Sequence, residues 1–251
     1  MSETVLDVQN VGRRFGNLVA LEDIDLHVAQ GSVHAVIGPN GAGKTTLFNI
    51  LSGELTPTSG RVVFEGRRID QLRPDVRAHR GIGRSFQVTS IFQTLTVFEN
   101  VRIAAQASRR RSAFNFLAPV RTSSAASERA WEVLDRVGLR VDEAGIPAGE
   151  LSHGRQRLLG VALALAGQPR LLLLDEPCAG MGSEDVVLMQ DLLEDLAKDH
   201  TIVLIEHHVE LVMAVSDVVT VLDHGALLVE GDPRTVGSHP RVREAYLGVG
   251  L

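Results

Sequence analysis

The stretch Val33-His-Ala-Val-Ile37 runs directly into Gly38-Pro39-Asn40-Gly41-Ala42-Gly43-Lys44-Thr45-Thr46, and helical spacing takes over in Leu47-Phe-Asn-Ile-Leu-Ser-Gly53. A buried strand, a glycine-rich turn and a helix, in that order, make a cradle for phosphate. The glycines let the backbone curl until successive N–H groups face inward. The helix that follows aims the positive end of its dipole at the same point. Residues 38–45 fit the pattern G-x-x-x-x-G-K-[ST]. In that pattern Lys44 reaches the β- and γ-phosphates of a nucleotide, and the Thr45 hydroxyl ligates Mg²⁺. The chain has 24 glycines but only two lysines, Lys44 and Lys198, against 23 arginines. From this composition chance alone supplies roughly 0.002 such matches.

Outward from the loop the chain alternates strand and helix patterns, which predicts an α/β fold with a largely parallel sheet. Arg61 to Glu65, between Gly60 and Gly66, reads as one strand of a hairpin. Leu171 to Leu174, Thr201 to Ile205 and Val218 to Leu222 are uniformly apolar, as central parallel strands are. Val218 to Leu222 and Leu227 to Val229 form a closing hairpin turned by Asp223, His224 and Gly225. The run Leu171-Leu-Leu-Leu-Asp175-Glu176 ends in two acids. At the carboxyl edge of a strand, Asp175 can hold Mg²⁺ through a water. Glu176 can then orient and deprotonate a water that attacks phosphorus. No guanine-reading Asn-Lys-x-Asp occurs, which disfavours a GTPase.

From about Thr94 to Gly167 the strand signals fade. Ala130, Val133, Leu134 and Val137 fall at helical spacing, with Ser127 as the expected N-cap and Gly138 as the stop. Arg109, Arg110 and Arg111 sit in a Ser/Ala/Arg-rich stretch that reads as a loop or an exposed helix face, with an anionic-lipid contact as the alternative. The 251 residues are 44% hydrophobic and 22% charged, the profile of a soluble globular protein. A net charge of −6 argues against a nucleic-acid-binding surface. Cys178 is the one cysteine, which excludes an intramolecular disulfide, and it reads as a small buried hydrophobe. MSETVLDVQN lacks the basic start and apolar run of a signal peptide. Leu158 to Leu174 is the most apolar stretch, but it contains Gln168, Pro169 and Arg170 and falls short of a membrane span.

With these residues in view, the chain resembles the ATP-binding subunits of ABC transporters along essentially its whole length. GPNGAGKTT is similar to the Walker A loop and LLLLDEP to the Walker B strand. Gln87 in GRSFQ stands where the family has its Q-loop glutamine, Leu151-Ser152-His153-Gly154-Arg155 where it has the LSGGQ signature, and His207 in IEHH where it has the switch histidine. Phe15 aligns with the aromatic that stacks on adenine. The resemblance implies a P-loop NTPase with a RecA-like core, about 1–93 and 168–251. An amino-terminal antiparallel β subdomain and a helical subdomain of about 94–167 complete it. It further implies ATP held by Phe15 and residues 38–46, and Mg²⁺ held by Thr45, Gln87 and Asp175. Catalysis falls to Glu176, His207 and Lys44. The anion site formed by Ser152 and Gly154 lies apart in sequence from the phosphate loop, so it serves the ATP of a second, identical or paralogous subunit. Transmembrane permeases, indirectly a periplasmic binding protein, and a position on the cytoplasmic face of the inner membrane follow by the same resemblance.

Two departures stand out. The signature reads LSHGR, with His153 and Arg155 in place of Gly and Gln, and Ala179-Gly-Met-Gly182 stands where Ser-Ala-Leu-Asp is common. The second puts communication between the paired sites in question. Both variants, together with GIGRSFQ, LTVFENV, IEHHVELV and the closing EAYLG, are similar to the importers of branched-chain amino acids and urea. Lipopolysaccharide-export ATPases, and soluble ABC ATPases without a transport role, are the alternatives.

Overall fold

A computed structural model of the protein describes residues 3–85, 91–107 and 124–247. The chain opens with β1 (Thr4–Phe15), β2 (Leu18–Ala29), β3 (Val33–Ile37), α1 (Lys44–Ser52), β4 (Ser59–Phe64), β5 (Arg67–Arg68) and α2 (Pro74–His79). It continues with β6 (Ile82–Arg84), α3 (Val97–Ala107), α4 (Ser124–Arg136), α5 (Val141–Ala144), α6 (His153–Ala166), β7 (Leu171–Asp175) and α7 (Ser183–Leu196). It closes with β8 (Thr201–Ile205), α8 (Val209–Val215), β9 (Val218–Asp223), β10 (Ala226–Gly231), α9 (Pro233–Ser238) and α10 (Pro240–Leu247). Two compact units result, one of Met1–Arg77 with Glu194–Leu251 and one of Ala78–Leu193.

The first unit contains two kinds of sheet. β2, β1, β4 and β5 pair antiparallel in that order. In β2 only Leu21, Ile24, Leu26 and Val28 are buried while charged neighbours face out, the pattern of a half-wetted sheet. β3 differs: all five residues are buried, because it lies between two strands. It pairs parallel with β8, Val36 facing Ile205, and parallel with β9, Ile37 facing Val221; β10 returns antiparallel on β9 as the expected hairpin.

α1 is held at its carboxyl end by a buried cation. Arg77 on α2 donates from Nη1 to the Ile50 and Leu51 carbonyls at 2.6 and 2.8 Å, and from Nε to Leu72 O at 3.0 Å. These are carbonyls that the end of a helix leaves without an intrahelical donor, and a positive charge there suits the dipole. Burial pushes the Arg77 pKa down to about 10, with Asp70 working against it, so the guanidinium stays charged at neutral pH.

His34, inside β3, is fully buried. Its Nε2 lies 2.7 Å from Thr220 Oγ1, which in turn donates to Glu230 Oε2 at 2.6 Å. The Thr220 proton being used on Glu230, its oxygen is left to accept, and His34 must present Nε2–H. Burial lowers the imidazole pKa below that of a free histidine, the Glu230 carboxylate opposing. A folded pKa below the unfolded one means that the unfolded chain takes up the proton first. Stability from this site is therefore full above about pH 6.5 and declines as pH falls through it, by up to about 1.4 kcal/mol per unit. The urea midpoint is expected to drop between pH 7.5 and 5.5 by more in the wild-type protein than in His34→Gln. Equal drops would count against this assignment.

In the second unit β6 pairs parallel with β7, Arg84 facing Leu173. The helix expected to start after Ser127 begins one turn earlier, at Ser124. The reason is Ala126, which is buried and extends the Ala130–Val137 stripe backward by a turn, so Ser127 is an interior residue. The stop is where expected: Gly138 is left-handed, its N–H donates to Asp135 O, and Leu139 N–H reaches back to Leu134 O. That pair of bonds is a Schellman closure. Among the described residues no helix is long and apolar enough to cross a membrane.

Candidate nucleotide site

In the first unit the phosphate loop leaves the carboxyl end of β3. Gly43 has φ +100°, and a Cβ there would come within 2.6 Å of Leu21 Cδ2 and 2.8 Å of Ala20 O. Glycine is required on both counts. Lys44 is buried, and its Nζ donates back to Gly38 O at 2.5 Å and Pro39 O at 3.0 Å, so the ammonium is drawn into the turn. Asn40, Gly41 and Thr45 form the exposed side of the loop, while Pro39 and Thr46 are half-buried and Ala42 is buried beneath it. The first-turn N–H groups of α1 have no acceptor within the helix, the arrangement that suits an anion. The residues present fit a phosphate chain.

His207 follows the carboxyl end of β8, and because β3 and β8 run parallel it lies at the same strand end as Gly38. Its side chain is exposed. The turn is set by Glu206, 2% exposed, whose Oε2 accepts from the N–H of His207 at 2.8 Å and of His208 at 3.2 Å. Phe15 ends β1 with 43% of its surface exposed. It is not a core residue, although an isolated phenylalanine is more often buried. The Arg13 guanidinium lies 4.5 Å from the ring centroid and covers part of it.

In the second unit β7 delivers both acids. Asp175 is buried, its Oδ2 lies 3.7 Å from Arg84 Nη2, and its N–H donates to Ser85 Oγ at 3.2 Å. Glu176 follows with φ +46°. A left-handed backbone costs a non-glycine residue about 1–2 kcal/mol, and strain of this kind gathers where function needs it. Cys178 is buried, as its solitary occurrence suggested. Gln87 and Arg109 to Arg111 lie outside the described residues.

Ser152 caps α6, its Oγ accepting from Arg155 N–H at 3.3 Å. Ser152 and His153 are exposed and Gly154 is buried. The unusual Arg155 is tied elsewhere: Nη1 donates to Gly138 O at 2.8 Å and Nε pairs with Glu143 at 3.2 Å. Its guanidinium therefore lies away from the cap, to which Arg155 contributes only its backbone N–H.

The structure thus sets residues 38–46 and His207 at one strand end of the first unit, with Phe15 on its antiparallel sheet. Asp175, Glu176, Ser152 and Gly154 all belong to the second. Arg13, Arg84, Ser85 and Glu206 are neighbours that sequence reasoning passed over. The GRSFQ run holds a signal for two of them, since Arg84 and Ser85 immediately precede the segment singled out at Gln87. Among the described residues no three His, Cys, Asp or Glu side chains converge as a metal cluster.

Residues 21–179 match the family model described as ABC transporter, and residues 226–251 the one described as branched-chain amino acid ATP-binding cassette transporter. The chain is 38% identical over 257 residues to the high-affinity branched-chain amino acid transport ATP-binding protein BraF of Pseudomonas aeruginosa. To LivG of Escherichia coli, of the same description, it is 36% identical over 254 residues, with 99% of both chains covered in each case. Among solved structures, it is similar to an ATP-binding cassette of an ABC transporter in its ADP conformation, at 31% identity and a TM-score of 0.86 over 98% of this chain and all of that one. A dimeric cassette bound to ADP and phosphate is 25% identical, with a TM-score of 0.79 over 91% and 99%.

Proposed function

This chain belongs to the ATP-binding subunits of ABC transporters, and from that premise we propose that it hydrolyses ATP to power the import of branched-chain amino acids. What carries the solute class is the end-to-end likeness to BraF and LivG, joined to the match of residues 226–251 with the branched-chain branch. Neither a lipopolysaccharide exporter nor a soluble ABC ATPase without a transport role finds comparable support.

The expected division of labour follows the chemistry of each position. Phe15 stacks on adenine, and residues 38–46 bind the phosphates through backbone N–H groups and Lys44. Thr45, Gln87 and Asp175 would hold Mg²⁺, a hydroxyl, an amide and a carboxylate being the hard oxygen donors that ion takes. Bound there, Mg²⁺ supplies positive charge against the phosphates. Glu176 takes a proton from the attacking water, and Lys44 and His207 stabilise charge that develops on the γ-phosphoryl group. Ser152 and Gly154 complete the site of a second subunit, so two ATPs lie between head-to-tail partners; that a similar cassette bound to ADP and phosphate is dimeric supports the pairing. Residues of about 94–167 act as the helical subdomain, between core segments of about 1–93 and 168–251. Closure passes from Gln87 to about Asn100 and on to permease subunits at the cytoplasmic face, which a periplasmic binding protein supplies with solute.

The deciding experiment is purification from native membranes, followed by reconstitution of the chain with whatever membrane subunits accompany it. Vesicles with this subunit and ATP inside, and the solute-binding protein outside, are expected to accumulate labelled leucine. Uptake indifferent to ATP, or co-purification without any multi-span partner, overturns the reading.

A further inference from the structure

Gly154, in the first turn of α6, and Asp185, in the first turn of α7, are 31 positions apart in sequence but in contact in the fold. A Cβ added to Gly154 would overlap the Asp185 carboxylate, lying 2.5 Å from its Cγ and 3.1 Å from its Cβ. The aspartate side chain therefore occupies the space that a side chain at position 154 would need. Its negative charge is set at the amino end of a 14-residue helix, where the dipole welcomes it. Asp185 is also joined to the catalytic strand by a short, hydrogen-bonded path. Ala179 N–H donates to Glu176 O, Met181 N–H to Cys178 O and Val186 N–H to Gly182 O, with Cys178 buried as an anchor. Along that path Ala179, Gly180, Met181 and Gly182 offer no charged or hydrogen-bonding side chain.

We propose that Asp185 is a positioning residue that reports occupation of Gly154 to Glu176 and so carries communication between paired sites that Gly182 cannot. The proposal rests on the reading of Ser152 and Gly154 as the anion site for a second subunit's ATP. A γ-phosphate arriving at the amino end of α6 meets a carboxylate of like sign and displaces it. The first turn of α7 shifts with it, and the displacement runs through residues 177–182 to Glu176, whose left-handed backbone is already strained. Asp185 thus resists dimer closure and links closure to the catalytic base.

Three measurements test this. In nucleotide-free protein, Gly154→Ala is expected to lower Tm by about 3 °C or more, but to leave it unchanged or raise it when Asp185→Ala is also present, alanine being the better helix former. Equal losses in both backgrounds overturn the contact and the proposal. In the Glu176→Gln background, Asp185→Asn is expected to lower the ATP concentration that drives dimerisation by roughly fivefold or more. With Glu176 in place, Asp185→Asn is expected to bring the Hill coefficient for ATP hydrolysis toward 1, while the MgATP affinity of the monomer is unchanged and Asp185→Glu restores cooperativity. Dimerisation and Hill coefficient both unchanged in Asp185→Asn overturn this proposal alone. A Glu176→Gln protein that never dimerises in ATP overturns the proposed function, and this proposal with it.

Discussion

Glu176→Gln is expected to bind MgATP as the wild-type protein does and to lose about 10²–10⁴ of its turnover, the range that a positioned general base contributes. Three features of the residue argue for an effect at the top of that range. It is the first residue beyond a fully buried strand, so its position is set by the sheet rather than by a loose turn. Its φ of +46° holds the side chain in a direction that an ordinary strand exit would not give. Glutamine can keep that backbone and nearly the same volume, so fold and nucleotide binding persist while the proton acceptor is gone. Phosphate release measured beside equilibrium nucleotide binding checks the split. Hydrolysis near the wild-type rate would remove Glu176 from the role of base, and affinity lost in step with turnover would make it a binding residue instead.

Much of this could be read from the chain because the informative residues are local. The phosphate loop is a contiguous pattern whose glycines are demanded by backbone geometry, and β3, β8 and the closing hairpin are apolar runs bounded by turn residues. Their observed spans match the expectation at Val33–Ile37 and Thr201–Ile205. What escaped is set by contacts between residues distant in sequence. Nothing in the spacing of Ser124 to Arg136 shows that Ala126 is buried, and the pattern alone therefore places the cap at Ser127. Arg155 looked like a change to the signature itself. In the fold its guanidinium turns away to Gly138 and Glu143, so it leaves the cap at Ser152 intact. The Gly154–Asp185 contact is the extreme case, since two helices from different stretches bring it about.

Lys44→Ala is expected to weaken MgATP binding by about 10²–10⁴, because it removes charge-assisted contacts worth about 1.5–3 kcal/mol each, and 1.4 kcal/mol is a factor of ten. Two separate losses combine. The first is the ammonium itself, which would lie along the β- and γ-phosphates. The second is preorganisation: Lys44 Nζ holds the turn by its bonds to the Gly38 and Pro39 carbonyls, and alanine leaves those oxygens without that donor. Lys44→Arg separates charge from shape. The chain uses arginine at 23 of 25 basic positions and yet keeps lysine here. The site explains the exception, for Lys44 is 6% exposed beneath a tight turn, and a planar guanidinium fork is broader than the point charge that fits there. Lys44→Arg is therefore expected to bind MgATP at least tenfold more weakly than wild type despite its unchanged charge. Titration of both variants with a fluorescent ATP analogue in the presence of Mg²⁺, with circular dichroism to show that they are folded, provides the check. Full affinity in Lys44→Arg would mean that charge alone matters and that the confines of the turn do not select lysine. Full affinity in Lys44→Ala would remove residues 38–46 from the phosphate site altogether.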